Sequence, residues 1–345
     1  MRTPALIRSG WWVAVAGAVV SVLVVIGVIR STTTPHAAVA DLGSIALEPA
    51  VVDTSEIVEA MARDGLKALV DPAVMTPEAV RLHNENERGK LLVSSDLVVG
   101  VFLGGEARAY PLRLLRWHEA VNDSLGGRSI AITYSPLSGA VAVWDRVLEG
   151  EVLELAVSGR LLDSNTLLYD RRPADGVSCL WHQLSGEALS GPAVGQTLSP
   201  LPAALQTWGE WLTAHPGTTV MAPDAETKRL YKRDPYHSYR GSDVLRFPVS
   251  PEPPNGRLAL KDRVAVVRFP SGDITFALRD LAEAVGAARG SWATLHDHQV
   301  YFIDFDADAG SISVRPRDEE APAPPVRYAY WFAWYCLHPG AVPLP

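Results

Sequence analysis

The sequence predicts an α+β protein with mostly antiparallel sheets in two related lobes, which follow an N-terminal transmembrane helix. Three features indicate this architecture: short alternating strands, an internal repeat and an apolar first segment. Residues 130–183 have the pattern of short strands separated by turns such as 172–176, which contains Pro173 and Gly176. Strands joined by tight turns instead of helices pair in antiparallel fashion.

The internal repeat relates residues 97–115 to residues 263–281 without a gap. The matched pairs are Leu112 with Leu278, Arg113 with Arg279, and Leu115 with Leu281. Residues 130–143 and 301–314 also match, which predicts two related lobes packed face to face; the alternative is chance identity between hydrophobic strands. The predicted organisation is an anchor and stalk at 1–40, N-terminal helices and a first lobe at 41–222, a connecting loop at 223–260, and a second, smaller lobe at 261–345.

Helices are predicted where a start signal precedes apolar residues at helical spacing. Asp53 resembles the first residue of a capping box, Thr76 with Pro77 supplies a cap and a first helical position, and Pro111 opens a helix in the same way. The predicted helices span 57–66, 79–84, 111–122 and 205–212. The aromatic segment 326–337 is expected to be a buried closing strand or helix.

The first 40 residues predict a membrane anchor. An uncharged stretch from Ser9 to Ile29 lies between Arg8 and Arg30 and has about the 20 residues that a bilayer-spanning helix needs. This stretch exceeds the apolar core of most cleaved signal peptides. We therefore expect a single pass through the lipid bilayer at residues 9–29, with the following domain outside the cytoplasm. The alternative is cleavage after Ala40, which releases a secreted or periplasmic protein.

Composition excludes several classes of function. Lys and Arg total 31 against 39 Asp and Glu, a net charge of −8 without a long basic run, so nucleic acid is not an expected partner. Two distant cysteines, Cys179 and Cys336, exclude a disulfide framework and a cysteine-rich zinc module. The compact run from His296 to His298 is interpreted as a surface loop, and no metal or other cofactor is expected.

Several strings along residues 65–345 resemble one bacterial family, catalogued as domain of unknown function 3179. The strings that carry the resemblance are Gly104–Leu112, Trp117–Glu119, Val121–Asp123, Thr133–Gly139, Ser158–Arg160 with Asn165, Tyr169–Arg171, Trp181–Gln183, Gly186–Ala188, Asp234–Tyr236 and Tyr330–Trp334. The resemblance implies an exported or membrane-associated bacterial domain, here placed at the cytoplasmic membrane. It implies no activity.

One departure from the family pattern concerns the turn Ser135-Pro136-Leu137-Ser138. Members resembling this protein typically carry Cys-Pro-Leu-Cys there, a turn suited to thiol redox chemistry or a soft metal. Serine hydroxyls have neither a low pKa nor a soft sulfur. The thiol and metal chemistry of the family is therefore expected to be lost in this chain.

The candidate binding residues lie in the first lobe. His118 and Asn122 are four apart on the predicted helix, so they share a face that can reach the Ser135–Ser138 turn; the alternative is a buried histidine bonded to a backbone carbonyl. Asp170 and Arg171 end one strand and His182 ends its hairpin partner, which suggests a site for a small polar or anionic ligand or, alternatively, a turn-stabilising ion pair. The binding residues are His118, Asn122, Ser135, Ser138, Asn165, Asp170, Arg171, His182 and Gln183.

Three functions are compatible with this set. The first is a non-catalytic ligand-binding or accessory protein. The second is a hydrolase-like enzyme acting on a small polar substrate through Ser135 and His118, with Asp170 completing a triad, although Ser135 lacks the glycine-flanked turn of known serine nucleophiles. The third is a structural envelope protein. No catalytic residue is assigned by the sequence.

Overall fold

A seven-stranded sheet forms the centre of the molecule and contains strands from both predicted lobes. The computed structural model describes residues 43–87, 89–254, 256–318 and 320–344, except for the Val285 side chain. The predicted anchor at residues 9–29 lies outside these residues. Within the described ranges, the chain forms one compact unit, and no helix there has the length and apolarity needed to cross a membrane.

The strands before the connecting loop build most of the first predicted lobe. They are β1 (Ser44–Ile45), β2 (Val58–Glu59), β3 (Leu69–Val70), β4 (Val74–Met75), β5 (Leu97–Leu103), β6 (Glu106–Pro111), β7 (Ala120–Leu125), β8 (Arg128–Ser135), β9 (Ala140–Asp145), β10 (Val147–Leu148), β11 (Glu151–Val152), β12 (Leu155–Leu162), β13 (Asn165–Asp170), β14 (Val177–Ser178), β15 (Leu180–His182), β16 (Ala188–Ser190), β17 (Ala204–Thr207) and β18 (Thr219–Met221).

The remaining elements complete the described chain. The later strands are β19 (Arg263–Phe269), β20 (Gly272–Ala277), β21 (Arg289–His296), β22 (Gln299–Asp306), β23 (Ser311–Pro316) and β24 (Val326–Tyr330). The α-helices are α1 (Pro77–Asn86), α2 (Leu112–Leu115), α3 (Trp208–Ala214), α4 (His237–Arg240), α5 (Leu278–Val285) and α6 (Trp331–Leu337). Two 3-10 turns span Thr54–Glu56 and Leu230–Lys232.

The pairing of these strands confirms the α+β class and the mostly antiparallel sheets. The central sheet has the order β20-β19-β24-β9-β8-β7-β3, two five-stranded sheets have the orders β17-β5-β6-β18-β4 and β16-β15-β13-β12-β2, and β21-β22-β23 form a three-stranded sheet. Parallel pairing occurs between β1 and β14, β3 and β7, and β6 and β18. Because β19, β20 and β24 share the central sheet with β7, β8 and β9, the two predicted lobes are joined through one sheet.

The order of elements occurs twice in the chain. A hairpin, a helix and a three-stranded meander run from β5 to β9 and again from β19 to β23. A strand and a helix then close each copy, and the closing strand pairs with the first strand of its own copy, β17 with β5 and β24 with β19. The insertion from β10 to β16 belongs to the first copy alone.

The closing helices show the repeat at the level of side chains. In α3 the indole of Trp211 packs on His215 with ring centroids 4.1 Å apart, and in α6 Trp334 packs on His338 at 4.0 Å. Both helices end on the histidine, with φ and ψ of −131° and 71° at His215 and −134° and 70° at His338. A Pro-Gly pair follows each histidine, where the chain leaves the helix.

Strand β8 separates two packed layers and positions the candidate site. Its large apolar side chains enter the main core on one face: Ile130, Ile132 and Tyr134. Its small or polar side chains lie on the opposite face, towards the sheet of β13 and β15: Ala131, Thr133 and Ser135. Alternation along a strand therefore buries polar groups between two sheets.

Several predicted helices are corrected by the structure. The helix expected over 57–66 is replaced by the 3-10 turn at Thr54–Glu56 and strand β2, although Asp53 does cap the turn. The helix expected from Pro111 to Asn122 ends after one turn in α2, and Asn122 lies in β7. Helix α1 does begin after the Thr76 cap, whose side chain accepts from the backbone N–H of Ala79.

Candidate functional site

The turn between β8 and β9 is buried and is held by contacts with Tyr330 and Tyr239. Ser135 and Ser138 are both fully buried. The backbone N–H of Tyr330 donates to the Ser138 carbonyl at 2.7 Å, and the Tyr239 hydroxyl donates to the Leu137 carbonyl at 2.7 Å. Gly139 adopts a φ of +61°, and a Cβ there would lie 2.9 Å from the Tyr330 ring, so glycine is required. The turn is therefore an internal support and not a free hairpin tip.

A chain of hydroxyl groups connects Ser135 to a buried carboxyl. The Ser135 Oγ accepts from the Thr166 backbone N–H at 3.2 Å and lies 3.1 Å from the Thr166 Oγ1. The Thr166 hydroxyl donates to Oε2 of Glu119 at 2.6 Å. Thr166 has one hydroxyl proton and is the donor in both contacts, so Glu119 and Ser135 compete for that proton.

Glu119 is the acidic group of this arrangement, and it has no cationic partner. Its side chain is buried, and no Lys, Arg or His in the described ranges forms an ion pair with it. Burial raises the pKa of the Glu119 carboxyl to about 7, against the opposing effect of hydrogen bonds from Thr166 and Tyr236. Its backbone φ of +56° is uncommon for a residue with a side chain.

Amide side chains complete the arrangement beside Ser138. The Asn165 Nδ2 donates to the Ser138 Oγ at 2.7 Å and to the Gln183 Oε1 at 3.1 Å. The Gln183 Nε2 donates in turn to the Thr133 hydroxyl at 2.9 Å. The Asn165 Oδ1 is buried and has no hydrogen-bond partner among the described residues. We call the connected set the polar centre: Glu119, Ser135, Ser138, Asn165, Thr166 and Gln183.

His118 lies beside the polar centre in the chain and bonds elsewhere. Its Nδ1 lies 2.7 Å from the Lys67 carbonyl, and its Nε2 lies 2.6 Å from the Tyr231 hydroxyl. Because a carbonyl only accepts, Nδ1 carries the proton and Nε2 accepts from Tyr231. Burial lowers the pKa of the His118 imidazole, so the ring is neutral. Ser135 and His118 therefore do not form the hydrogen-bonded pair that the hydrolase hypothesis expects.

Asn122 supports the sheets and does not line the polar centre. Its Nδ2 donates to the Leu155 carbonyl at 2.8 Å, and the Leu155 N–H donates back to the Asn122 Oδ1 at 2.8 Å. The side chain therefore replaces a backbone partner between β7 and the start of β12. The expected shared helical face of His118 and Asn122 is wrong, because the chain has already become a strand at Ala120.

The predicted grouping of Asp170 and Arg171 with His182 is also corrected. Antiparallel pairing places His182 opposite Leu167, three residues along β13 from Asp170. Asp170 accepts from the Cys179 N–H at 2.6 Å, and the Arg171 guanidinium pairs with Asp64 and Glu154. Residues that end two strands meet only if they border the same turn, and His182 lies at the far end of β15.

His182 is a buried neutral side chain within its own turn. Its Nδ1 accepts from the Ser185 N–H at 3.2 Å. Burial lowers the pKa of the imidazole to about 3. The ring therefore stabilises the turn that carries Gln183 into the polar centre.

The connecting loop covers this region with three tyrosines. Tyr231 donates to His118, Tyr236 donates to Oε1 of Glu119 at 3.4 Å, and Tyr239 donates to the Leu137 carbonyl. All three side chains are buried. We call residues 223–250 the strap. The sequence shows the Asp234-Pro235-Tyr236 string but not that its hydroxyl lies over a carboxyl.

The part of the chain that the structure describes contains neither a disulfide nor a cluster of metal-ligating side chains. Cys179 and Cys336 are both free, and burial raises the pKa of each thiol. No group of three or more His, Cys, Asp or Glu side chains in that part is arranged to hold a metal ion. His296 ends β21 and its ring stacks on Phe269 at 4.2 Å.

Comparison with known proteins identifies a family. The model of the family described as "Protein of unknown function (DUF3179)" matches residues 70–341, which is most of the chain and includes the polar centre and the strap. No curated protein and no solved structure matches the chain.

Proposed function

The chain belongs to the DUF3179 family, and from its polar centre we propose that this member binds a small polar ligand without converting it. The observation that carries the proposal is the Glu119 carboxyl, which is buried with hydrogen bonds from Thr166 and Tyr236 but has no cationic partner among the described residues. A buried carboxylate normally pairs with a positive group, because desolvating the charge is otherwise costly. A cationic ligand would supply that group.

The acceptor atoms of the polar centre indicate the chemical class of the ligand. The Asn165 Oδ1 has no hydrogen-bond partner among the described residues, and each Glu119 oxygen can accept more than the one bond it has, so a ligand that satisfies them carries N–H or O–H donors. An ammonium group has three such donors and a positive charge. The anionic ligand considered for Arg171 has less support, since two carboxylates already neutralise that guanidinium.

We further propose that the domain works outside the cytoplasm on a single-pass anchor. The uncharged stretch of residues 9–29 with basic residues before it supports this location. The expected loss of the family's thiol pair supports binding over redox chemistry, and the hydroxyl oxygens of Ser135 and Ser138 both take part in hydrogen bonds inside the fold.

A hydrolase is the second candidate, and one observation favours it. The chain from Ser135 through Thr166 to Glu119 links a nucleophile type to a carboxyl with a pKa of about 7, suitable for a general base at neutral pH. The Ser135 Oγ is buried, however, and a substrate must reach this oxygen before it can act as a nucleophile. Binding therefore has the stronger support.

The binding proposal is tested by thermal unfolding of the full-length chain with millimolar methylammonium chloride. We expect the melting temperature to rise with the concentration of methylammonium and not with sodium acetate, the anionic comparison. Glu119→Gln keeps the size of the side chain but removes its charge and replaces one acceptor oxygen with an NH2 donor, so it is expected to abolish the rise. A wild-type chain that responds equally to both salts would contradict the proposal.

The hydrolase candidate is tested separately with p-nitrophenyl acetate. Turnover by the wild-type chain that disappears in both Ser135→Ala and Glu119→Gln would establish catalysis in place of simple binding. The matched comparison is Ser185→Ala, which changes a serine outside the polar centre. Release of nitrophenol at the buffer rate by the wild type would remove this candidate.

A further inference from the structure

We propose that the strap is a gate over the polar centre and that Lys261 is the latch that keeps it closed. The inference rests on the proposed function in one respect, namely that the centre beneath the strap is the binding site. It is carried by the contacts of residues 223–250 with the centre and by the contacts of Lys261 with the strap.

The strap closes the polar centre through hydroxyl contacts. Tyr236 donates to Glu119, the proposed ligand-binding carboxyl, and Tyr239 donates to Leu137 in the Ser135–Ser138 turn. Tyr231 donates to His118, the residue before Glu119. A ligand that reaches Glu119 from this side must therefore displace the strap.

The strap forms no strand pairing with the described sheets. The described strands end at Met221 in β18 and resume at Arg263 in β19, so residues 223–250 contribute no strand to any described sheet. Polar contacts join the strap to the body, such as Asp234 with Arg116 and the Phe247 carbonyl with Ser164 at 3.0 Å, and apolar strap side chains, Phe247 among them, also pack against the core. Segments outside the sheets generally open at lower free energy than core strands.

Lys261 holds the strap from the opposite end. Its Nζ donates to three strap carbonyls, those of Tyr239 at 2.7 Å, Ser242 at 2.5 Å and Val244 at 2.9 Å. The same Nζ lies 3.4 Å from the centroid of the Tyr239 ring, a cation–π contact. Lys261 precedes β19 in the chain, so the latch joins the strap to the central sheet.

Tyr239 connects the latch to the site. Its backbone carbonyl and its ring contact Lys261, while its hydroxyl contacts the Leu137 carbonyl. Removing the ammonium group takes a donor from three strap carbonyls, of which that of Tyr239 keeps the Ser242 N–H, and takes the nearer of two cations from the Tyr239 ring, which keeps Arg246 at 5.0 Å. The strap is then expected to release Tyr239 from the turn and open more often.

Thiol labelling measures this opening without any ligand. The full-length chain carries Ser135→Cys as the probe and Cys336→Ala to remove the partly exposed thiol, and Cys179 remains as a buried internal reference outside the strap. Labelling by N-ethylmaleimide is followed at each cysteine by mass spectrometry. Lys261→Met is compared with Lys232→Met, which removes the same charge from an exposed lysine of the strap.

We expect Lys261→Met to accelerate labelling of the cysteine at 135 about tenfold, which corresponds to about 1.4 kcal/mol of opening free energy. Labelling of Cys179 stays at the wild-type rate, and Lys232→Met has no effect at either site. Equal acceleration at both cysteines would mean global unfolding and would overturn the gate, as would an unchanged rate at position 135. The rates need no methylammonium, so the gate and the ligand proposal fail independently.

Discussion

The hydroxyl of Thr166 lies 2.6 Å from Oε2 of Glu119, although 47 residues separate the two in the chain. This bond joins β13 to the turn before β7 and holds a buried carboxyl that has no counter-ion in the part of the chain that the structure describes. Burial is the largest influence on that carboxyl, and it favours the neutral form. The relationship makes the stability of the fold depend on pH in a calculable direction.

The free energy of unfolding of the wild type is expected to fall as pH rises, because Glu119 must ionise inside the fold. Glu119→Gln is expected to remove this part of the pH dependence. The unfolded carboxyl ionises near pH 4.5 and the folded one near pH 7, so folding is favoured below pH 4.5 and the advantage disappears through pH 7. The shift corresponds to about 3 kcal/mol between pH 4 and 8. Urea unfolding of both chains across this range measures the difference, which isolates Glu119 from other groups.

The comparison between chains is needed because His182 acts in the opposite sense. Its folded pKa of about 3 lies below the ordinary 6.5, so it stabilises the fold above pH 6.5 and that stability is lost as pH falls towards 3. This contribution is present in both chains and cancels. A difference in stability that stays constant from pH 4 to pH 8 would show that Glu119 is not titrating inside the fold.

Gly139→Ala is expected to destabilise the chain by about 2–4 kcal/mol. The new Cβ would meet the Tyr330 ring at 2.9 Å, and the φ of +61° adds the strain of a left-handed backbone. Gly105→Ala is the matched control, since Gly105 has a φ of +82° with open space around it and should cost about 1 kcal/mol. Equal losses in chemical denaturation would refute the close packing of Tyr330 on the turn.

The repeated closing helices predict a stabilising substitution. The Trp211 Nε1 donates to the Thr218 hydroxyl at 2.9 Å, whereas the Trp334 Nε1 is buried without a partner in the described chain and Ala341 occupies the position equivalent to Thr218. Ala341→Thr is therefore expected to raise the free energy of unfolding by about 1 kcal/mol.

The reverse substitution provides the control for that prediction. Thr218→Ala leaves the Trp211 donor unpaired and is expected to cost about 1–3 kcal/mol. Both variants are measured by urea unfolding monitored through tryptophan fluorescence. Loss of stability in Ala341→Thr would contradict the equivalence of the two closing helices.

Local signals made part of the fold predictable from sequence. The Thr76 cap, the alternation of β8 and the internal repeat depend on residues near one another in the chain. The helix expected through Asn122 failed because Asn122 pairs with the Leu155 backbone, 33 residues away. Pro111 does begin a helix, but the chain turns at Glu119 and continues as strand β7, where Asn122 makes this pairing.

The candidate site likewise contains residues that local sequence strings predict and one residue, Glu119, that they do not. Ser135, Ser138, Asn165 and Gln183 were expected from the family strings, and the structure brings them together. The importance of Glu119 was not foreseen, because its partners Thr166 and Tyr236 are 47 and 117 residues away. The buried state of a carboxyl and its lack of a cation are tertiary properties that no local pattern expresses.

The most direct test of the central claim is the number of protons released when methylammonium binds. Calorimetric titrations at pH 6.5 in two buffers of different ionisation enthalpy measure this number for the full-length chain. A cation that pairs with Glu119 lowers the pKa of the carboxyl from about 7, so the wild type should release about half to three quarters of a proton at pH 6.5, and Glu119→Gln should release none. Binding without proton release, or the same release from both chains, would contradict the account.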